Sequence, residues 1–339
     1  MSLLERELRE QPAALARLLE RQGEHADKLA ALLRRRDVRY LLIASRGSSS
    51  NAARYAQYLL GRASRVPVAF ATPSLYTLYE QPPRLDGALV VGISQSGESP
   101  DVKAVVDEAR RQGRPTIALT NMPGSPLALA AEAVLPLEAG DERSVAATKT
   151  YLNSLGAIAL LFAASTRDKQ ARRELELIPA QVEAQLEQSL LDVANADRYR
   201  TIEGGTVVGR GINYGSAFEI ALKIRELSGL LFEAWSAADL MHGPVAAIAP
   251  GWPVIAVAPR GPALESMQAV IDGLAARGAH LFVIGEAEDA ALRLVPSVPE
   301  WLSPLVTVIP GQLVALRLAE LRGGDVDHPH GLQKVTLTR

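Results

Sequence analysis

Runs of Val, Ile and Leu alternate along the chain with segments whose apolar residues recur at helical spacing. The first half contains, in order, the segments "VRYLLIAS", "NAARYAQYLL", "GALVVGIS", "DVKAVVDEARRQG" and "PTIALTN". Short apolar strands separated by amphipathic helices are typical of βαβ units, whose parallel strands form a sheet covered by helices on both faces. The pattern therefore predicts an α/β fold.

The second half of the chain repeats this scheme. The segment "VVGRG" before "SAFEIALKIRELSG" parallels "LIASRG" before "NAARYAQYLLG", and "PVIAVAPRG" parallels "LVVGISQSG". The spacing from Gly47 to Gly211 is 164 residues, and the spacing from Ser94 to Ala258 is also 164. Any two doubly wound halves share some likeness, but an offset kept at two separate motifs predicts a tandem of two similar α/β domains.

Breaks in these patterns predict the boundaries between the parts of the chain. We predict an N-terminal helical arm at 1–22, a first domain at 23–167, a charged helical connector at 168–194, a second domain at 195–326 and a C-terminal tail at 327–339. The N-terminal segment carries too much charge for the apolar core of a signal peptide. The longest apolar run, Leu155 to Ala164, is shorter than the roughly 20 residues of a membrane helix, so we expect a buried helix there.

Composition excludes several classes of protein. The 339 residues carry a formal net charge of −2 and no concentrated Lys/Arg stripe, which argues against a nucleic-acid partner. The absence of cysteine excludes disulfides, thiolate nucleophiles and Cys-based metal sites. It also suits a reducing cytoplasm, where we expect the protein to act, away from membranes.

Two serine-rich loops follow predicted strands of the first domain and are candidates for a phosphate site. The first supplies Ser48 and Ser49, and the second is the segment Ser94-Gln95-Ser96-Gly97-Glu98-Ser99. Hydroxyls and backbone N–H groups at the start of a helix favour an anion, and Ser99 before Pro100 is a natural N-cap. One such turn commonly only caps its helix. Two at the carboxyl ends of strands in one domain instead predict a phosphate-binding pocket.

The loops resemble neither a Walker loop nor a dinucleotide fingerprint, because Gly-Lys-Ser/Thr and G-x-G-x-x-G sequences are both absent. Hydroxyl-dominated loops without a lysine are typical of a phosphate that is held and not transferred. A sugar phosphate fits this description.

The second domain contains a candidate catalytic helix. Glu219, Lys223 and Glu226 lie at i, i+4 and i+7 and therefore share one helical face. Spacing alone favours an ordinary solvated face. The surroundings of the helix instead favour a charged face that lines a cleft, since the opposite face is apolar and the helix follows a strand-end loop.

Among the five histidines, His242 in "LMHGP" is the strongest chemical candidate, because a Gly-Pro turn can present an imidazole that titrates near neutral pH. His328 and His330 suggest a metal, but Pro329 between them and the lack of a nearby third ligand argue against one. We expect no metal. Lys334 lies near the C-terminus, where a lysine is generally only a solvated charge.

These motifs resemble the sugar isomerase (SIS) domain family, specifically the isomerase half of glucosamine-6-phosphate synthase and its stand-alone relatives. The similar stretches run from "REQP" through "SQSGES", "NMPGSPLA", "SVAATKTY", "GRGINYGSAFEIALKIRELS" and "EAWSAADLMHGP" to "DVDHPHGLQKVTL". The resemblance implies two tandem SIS domains, each a five-stranded parallel sheet flanked by helices, with an N-terminal helical arm and a C-terminal tail. It also implies a homodimer and no cofactor.

The resemblance assigns roles to individual positions. Glu226 matches the base that moves a proton between C1 and C2, His242 matches a ring-opening histidine contributed by the neighbouring subunit, and Lys334 matches a tail lysine that closes over the sugar. Lys223 is an electrostatic candidate beside Glu226. The remaining matches are the phosphate-pocket residues Ser48, Ser49, Ser94, Gln95, Ser96 and Ser99, and the substrate-contacting residues Glu142, Val145 and Ala147. Arg46, Ser50 and Met241 depart from the synthase pattern.

The synthase also carries an N-terminal glutaminase domain with a catalytic thiol, whereas this chain begins at the isomerase part and has no cysteine. The resemblance therefore favours a glucosamine-6-phosphate deaminase, which converts glucosamine 6-phosphate and water to fructose 6-phosphate and ammonia. A phosphosugar aldose-ketose isomerase, a fructosamine-phosphate deglycase and an ammonia-dependent synthase remain enzymic alternatives. The non-enzymic alternative is a sugar-phosphate sensor, which would not need Glu226, His242 and Lys334 together.

Overall fold

The computed structural model describes residues 1–35, 37–295 and 297–334. The helices are α1 (Leu3–Arg9), α2 (Gln11–Leu33), α3 (Gly47–Ser64), α4 (Ser74–Thr77), α5 (Pro100–Arg111), α6 (Pro126–Ala130), α7 (Lys149–Thr166), α8 (Lys169–Asp192), α9 (Tyr214–Ser228), α10 (Ala237–Met241), α11 (Leu264–Ala276) and α12 (Pro304–Leu321). The strands are β1 (Tyr40–Ser45), β2 (Val68–Phe70), β3 (Ala88–Ile93), β4 (Thr116–Thr120), β5 (Ala133–Pro136), β6 (Gly204–Gly209), β7 (Leu231–Ser236), β8 (Pro253–Val257), β9 (His280–Gly285) and β10 (Leu292–Arg293). The end of the predicted tail, residues 335–339, lies outside the described part.

The strands form two five-stranded sheets in which every pairing is parallel. The first sheet has the order β2-β1-β3-β4-β5, and the second has the order β10-β9-β8-β6-β7. Read from its other edge, the second sheet repeats the topology of the first, strand for strand. The predicted tandem of two α/β domains is therefore confirmed.

The repeat extends to backbone conformation. Gly47 and Gly211, which follow the equivalent strands β1 and β6, have φ angles of +52° and +59°. These left-handed values suit glycine, which has no Cβ to clash with the following carbonyl. The offset of 164 residues thus marks the same strand-to-helix turn in both sheets.

The chain divides into two compact units. The first-sheet unit contains Glu10–Arg143, Ala147–Glu176 and the described residues Gln333 and Lys334, and the second-sheet unit contains Met1–Arg9, Ser144–Ala146 and Leu177–Leu332. Both units have a core of strand and helix side chains. In the first-sheet unit the residues Leu42, Val90 and Val106 belong to this core, and in the second-sheet unit Val208, Val254 and Ile271 belong to it.

Two apolar helices are core elements. Helix α7 contains the run Leu155 to Ala164, and these residues are buried, as the sequence predicts. Helix α12 is the one described helix that is long and apolar enough to cross a membrane, and 83% of it is buried inside the protein. Burial of their Leu, Ile and Val side chains stabilises the fold by about 1.5–3 kcal/mol per residue.

Candidate active site

The two serine-rich loops lie at the switch point of the first sheet. Neighbouring strands β1 and β3 run in register, with Ser45 opposite Ile93 at their carboxyl ends. Their crossover connections leave toward opposite edges, since the order is β2-β1-β3-β4-β5. Open parallel sheets bind ligands in the crevice outside such a switch point. The fold thus brings the first turn of α3 and the loop before α5 to one edge of the sheet.

The first loop begins α3. Ser48 and Ser49 lie in its first turn and are half-buried. The hydroxyl of Ser50 lies 3.1 Å from that of Ser45, the last residue of β1. Ser50, which departs from the synthase pattern, is therefore tied to the strand, while Ser48 and Ser49 lie at the positive end of an 18-residue helix.

The second loop organises its hydroxyls around its own backbone. Ser94 Oγ accepts a hydrogen bond from Gly97 N at 3.1 Å, and Ser96 Oγ accepts one from Glu98 N at 3.2 Å. A hydroxyl that accepts from a backbone N–H keeps its own proton to donate to an anion. The side chains of Gln95 and Ser96 are half-buried at the same loop.

Ser99 occupies the predicted N-cap position of α5, with Pro100 as the first helical residue, but its side chain makes no capping hydrogen bond. Its hydroxyl instead lies 3.5 Å from that of Ser94. Ser99 is therefore the N-cap residue, as predicted, but the capping hydrogen bond that a natural N-cap would make is absent. The extended backbone at Ser99 is the one that N-cap residues adopt, but its hydroxyl is engaged with that of Ser94 across the loop.

Gly97 is the tightest point of this loop. Its φ is +66°, and an added Cβ would lie 1.9 Å from Ser125 Oγ and 2.5 Å from Ser125 Cβ. We expect Gly97→Ala to destabilise the protein by about 1–3 kcal/mol more than Gly113→Ala does, because overpacking adds to backbone strain. Gly113 is a matched control, since its φ is +68° and nothing lies within 4 Å of its Cβ position.

Urea unfolding of both glycine variants checks this expectation. We also expect Gly97→Ala to lose affinity for sugar phosphates, because relieving the clash displaces the serine hydroxyls. Equal destabilisation by the two substitutions would show that Gly97 serves only the backbone conformation of the loop.

The second sheet has an equivalent switch point between β6 and β8, but its loops differ in chemistry. Residues 210–215 read "RGINYG" and residues 258–263 read "APRGPA", with no serine or threonine in either. The serine-rich strand-end loops thus belong to the first sheet, whereas the turn after β6 places Asn213 against the hydroxyls of Ser303 and Thr307.

Glu142 is the centre of a buried network in the first-sheet unit. Its carboxylate accepts hydrogen bonds from Thr148 N, Thr150 N and Thr150 Oγ1 at 2.9, 3.0 and 2.7 Å. Lys334 Nζ donates to Glu142 Oε2 at 2.7 Å. The structure thus joins two predicted site residues that are 192 positions apart in sequence.

Burial raises the pKa of Glu142, but the Lys334 ammonium and the hydrogen bonds from Thr150 outweigh burial and lower the pKa below its ordinary value of 4.5. A carboxyl with a lowered folded-state pKa contributes stability above its unfolded pKa and loses it as the pH falls through the folded pKa. This contribution is therefore full above about pH 4.5 and disappears at more acidic pH.

We expect Lys334→Met to lower the free energy of unfolding by about 1–3 kcal/mol at pH 7, because a buried charge-assisted hydrogen bond is lost. The difference from the wild type should shrink as the pH falls from 4.5 through the lowered folded-state pKa of Glu142, because protonation removes the carboxylate charge that Lys334 pairs with. Urea unfolding between pH 3 and pH 8 measures it, with Lys334→Arg as the control that retains the cation. A difference independent of pH would contradict the ion pair.

The remaining substrate-contacting candidates flank this network. Val145 and Ala147 are half-buried in the loop that leads to α7. Sequence reasoning missed the ion pair that begins this helix, in which Lys149 Nζ lies 2.5 Å from Glu10 Oε2. Glu10 belongs to "REQP" and Lys149 to "SVAATKTY". The opposite charges of these two motifs were the signal from which the ion pair could have been predicted.

The charged face of α9 is buried. Glu219 and Lys223 are 0% and 1% exposed, and Glu226 is 25% exposed. Lys223 Nζ lies 3.5 Å from Glu219 Oε1 and donates a hydrogen bond to Glu226 Oε2. The solvated face that spacing alone favours is therefore wrong. Side chains of this kind are buried only when paired, and the shared lysine supplies the pairing for both carboxylates.

Glu226 lines a cleft of about 540 Å³ at the C-terminal end of α9. Its other lining residues include Arg225, Arg322, His328 and His330. This volume falls within the range of small-molecule sites. A carboxylate paired with a buried ammonium beside such a cleft is suited to move a proton on a bound molecule.

The predicted histidines occupy different places in the second-sheet unit. His242 follows α10, is exposed, and donates its backbone N–H to Asp239 O at 3.1 Å. It does not belong to the residues lining the Glu226 cleft, whereas His328 and His330 do. His328 Nδ1 lies 3.2 Å from Asp325 Oδ2. Within residues 1–35, 37–295 and 297–334, no group of three or more acidic or histidine side chains is arranged to hold a metal.

Comparison with known proteins identifies relatives across almost the whole chain. The SIS domain model matches residues 32–164 and 206–319. The isomerizing glutamine-fructose-6-phosphate aminotransferase of Thermus thermophilus is 34% identical over 97% of this chain and 58% of its own length. The chain thus spans little more than half the length of this curated relative.

Solved structures share the fold over nearly the full length. A protein assigned as a phosphosugar isomerase, from Silicibacter pomeroyi DSS-3, is 32% identical with a TM-score of 0.84, covering 96% of this chain and 100% of that one. The C-terminal domain of glucosamine-fructose-6-phosphate aminotransferase from Francisella tularensis is 27% identical with a TM-score of 0.86, covering 97% and 98%. Glucosamine-6-phosphate deaminase from Thermotoga maritima, at 22% identity and a TM-score of 0.82, covers 99% and 100% and shares the fold.

Proposed function

Because the chain belongs to the SIS domain family, we propose that it is a phosphosugar enzyme and, specifically, a glucosamine-6-phosphate deaminase. The reaction converts glucosamine 6-phosphate and water to fructose 6-phosphate and ammonia. The observation that carries the proposal is Glu226, a half-buried carboxylate that is paired with buried Lys223 and lines a cleft. The 34% identical relative from Thermus thermophilus, an isomerizing glutamine-fructose-6-phosphate aminotransferase, supports the same amino-sugar chemistry.

The serine-rich loops of the first sheet hold the phosphate in this proposal. Hydroxyls of Ser48, Ser49, Ser94, Ser96 and Ser99 and the amide of Gln95 supply donors at the ends of β1 and β3. Fixing the phosphate positions the reacting carbons, and such orientation can lower a reaction barrier by several kcal/mol. Glu142, Val145 and Ala147 then contact the sugar.

Glu226 carries the proton transfer. It takes the C2 proton of the open-chain amino aldehyde and returns it to C1, acting first as a base and then as an acid. The electron pair moves through an enolamine, and the product is an imine at C2. Lys223, which is already hydrogen-bonded to Glu226, stabilises the developing negative charge at the oxygen on C1.

Hydrolysis completes the reaction. Water adds to the C2 imine, the resulting carbinolamine loses ammonia, and fructose 6-phosphate remains. Lys334, held by Glu142 at 2.7 Å, closes over the sugar and keeps its ammonium near the substrate oxygens. None of these steps consumes an oxidant, a reductant or a metal-bound group, so the proposed reaction balances with water alone.

A homodimer completes the proposed site. The imidazole that opens the pyranose ring is His242 of the partner subunit, and the exposure of His242 in this chain supports a role outside its own subunit. We propose a cytoplasmic enzyme that binds small-molecule sugar phosphates. A closed two-fold dimer is the commonest assembly for such proteins.

An ammonia assay tests the function directly. Purified protein is given glucosamine 6-phosphate, with galactosamine 6-phosphate and enzyme-free controls, and ammonia and fructose 6-phosphate are followed together. Equal release of ammonia and fructose 6-phosphate from glucosamine 6-phosphate supports the deaminase. Ammonia from galactosamine 6-phosphate, whose keto product would be tagatose 6-phosphate, would instead identify the galacto epimer. Release of neither product would overturn the deaminase.

The second candidate is a phosphosugar aldose-ketose isomerase. Its specific support is the 32% identical protein assigned as a phosphosugar isomerase, which this chain matches over 100% of that protein's length. The same Glu226 would move the proton, but no ammonia would form. Exchange of the C2 hydrogen with solvent deuterium, without ammonia, would favour this candidate.

A further inference from the structure

Arg46 lies at the junction of the two serine-rich loops. It is the residue between β1 and α3, and its Nε donates to Asp101 Oδ2 at 2.5 Å. Asp101 is the second residue of α5, so this contact carries the guanidinium from the end of β1 to the first turn of α5. Arg46 remains 51% exposed, whereas Asp101 is 1% exposed.

Several backbone donors at this edge are already occupied. Gly97 N donates to Ser94 Oγ, Glu98 N to Ser96 Oγ, and Val102 N to the carboxylate of Asp101. A phosphate held at the start of α5 would therefore meet fewer backbone N–H groups than the loop sequence suggests. Hydroxyl protons and a nearby cation have to supply more of the attraction.

Arg46 is the cation among the charged side chains of the two serine-rich loops. Residues 45–51 contain one charged side chain, Arg46, and residues 94–101 contain two, Glu98 and Asp101. Without Arg46 these two loops would carry two carboxylates and no cation. With Arg46 Nε paired to Asp101, the buried carboxylate has a cation, and the half-exposed guanidinium keeps further N–H groups with which to donate.

We propose that Arg46 is the specificity-determining residue that recognises the charge of the substrate phosphate, and that Asp101 is the positioning residue that orients its guanidinium. This inference rests on the proposed phosphosugar function and adds a cationic contact to a pocket that otherwise offers hydroxyls. Arginine suits the role because its planar guanidinium can donate to a carboxylate and a phosphate at the same time.

A purely structural role is the competing explanation, since Arg46 also neutralises a buried carboxylate. The second sheet offers a comparison for Arg46. Arg210 occupies the equivalent turn after β6, where the loops at residues 210–215 and 258–263 carry no serine or threonine. An arginine at this turn is thus compatible with a structural role. The test has to separate phosphate contact from pairing with Asp101.

Binding of fructose 6-phosphate, measured by calorimetry on the full-length protein, is the first readout. We expect Arg46→Gln to weaken binding by about 10- to 100-fold, as expected for a lost charge-assisted hydrogen bond. Arg65→Gln is the matched control because Arg65 is exposed at the other end of α3, about 27 Å away along an 18-residue helix. It should change affinity by less than about twofold.

The double variant Arg46→Gln/Asp101→Asn separates the two roles. It removes the unpaired carboxylate while keeping polar groups at both positions, so a purely structural role predicts recovery to wild-type affinity. Phosphate recognition predicts that the double variant still binds about tenfold more weakly than the wild type. Thermal unfolding of each variant confirms that the comparison is made on folded protein.

Phosphorus NMR supplies a readout that a structural role would not move. A guanidinium beside the phosphate favours the dianion, so the second pKa of bound fructose 6-phosphate should lie below its ordinary value of about 6 and rise in Arg46→Gln. Wild-type affinity in Arg46→Gln, or full recovery in the double variant, would overturn the inference while leaving the proposed function intact. Failure of the wild type to bind any sugar phosphate would overturn both.

Discussion

Glu226→Gln is expected to lower kcat by about 10²- to 10⁴-fold, the usual contribution of a general base. Glutamine keeps the size of the side chain and can still accept a hydrogen bond from Lys223, but it cannot take the C2 proton. Lys223 retains its contact with Glu219 at 3.5 Å, so the buried helix face keeps one ion pair. The affinity for fructose 6-phosphate should therefore change by less than about threefold, because phosphate binding depends on other residues.

Steady-state release of ammonia gives kcat, and calorimetry with fructose 6-phosphate gives the affinity. Glu288→Gln is the matched control, since Glu288 is an exposed glutamate of the same second-sheet unit. Its activity should equal that of the wild type. If Glu226→Gln turns over normally while remaining folded, Glu226 is not the base, and the cleft histidines His328 and His330 become the next residues to test.

Lys223→Met is expected to lower the free energy of unfolding by about 3–5 kcal/mol, the cost of breaking a buried ion pair by removing one partner. Lys223 is 1% exposed and serves both Glu219 and Glu226, so its loss leaves a fully buried carboxylate without its cation. Methionine has a similar length and fills most of the vacated space. The loss is therefore electrostatic and not a packing defect.

Urea unfolding at pH 7 measures the loss, with Lys103→Met as the control. Lys103 pairs with Asp107 at i, i+4 on α5, the same spacing as Glu219 and Lys223, but both members of this pair are exposed. An exposed pair of this kind contributes about 0.3–0.5 kcal/mol. The double variant Lys223→Met/Glu219→Gln should recover part of the stability. Equal losses for Lys223→Met and Lys103→Met would contradict a buried, electrostatically coupled α9.

The fold could be predicted from the sequence because hydrophobic periodicity and the internal repeat are both visible in the order of residues. The strand-helix alternation and the 164-residue offset predicted two parallel α/β domains, and the two sheets confirm it. The same alternation predicted that the serine-rich loops follow strands, as they do after β1 and β3, and their role in phosphate binding stays a prediction. The family resemblance agrees with the match of the SIS domain model over residues 32–164 and 206–319.

Other features depended on contacts between distant residues. Spacing on α9 could not distinguish a solvated charged face from a buried one, since Glu-Lys pairs four apart occur on both. Local sequence around Lys334 indicated no role until the resemblance was considered, and its contact with Glu142 joins residues 192 positions apart. Ser99 occupied the expected position, but its hydroxyl contacts that of Ser94 and makes no capping hydrogen bond to α5.

The α/β class, the duplication and the placement of hydroxyls at strand ends can all be read from the order of residues, because they follow from periodicity and local turn chemistry. Which charges are buried, and what they contact, follows from the folded arrangement. Burial of Glu219, Lys223, Asp101 and Glu142 depends on packing from elements far apart in sequence. A charge is stable in such a place only beside a partner, and the pairs Lys223 with Glu226, Arg46 with Asp101 and Lys334 with Glu142 are the partners that folding supplied.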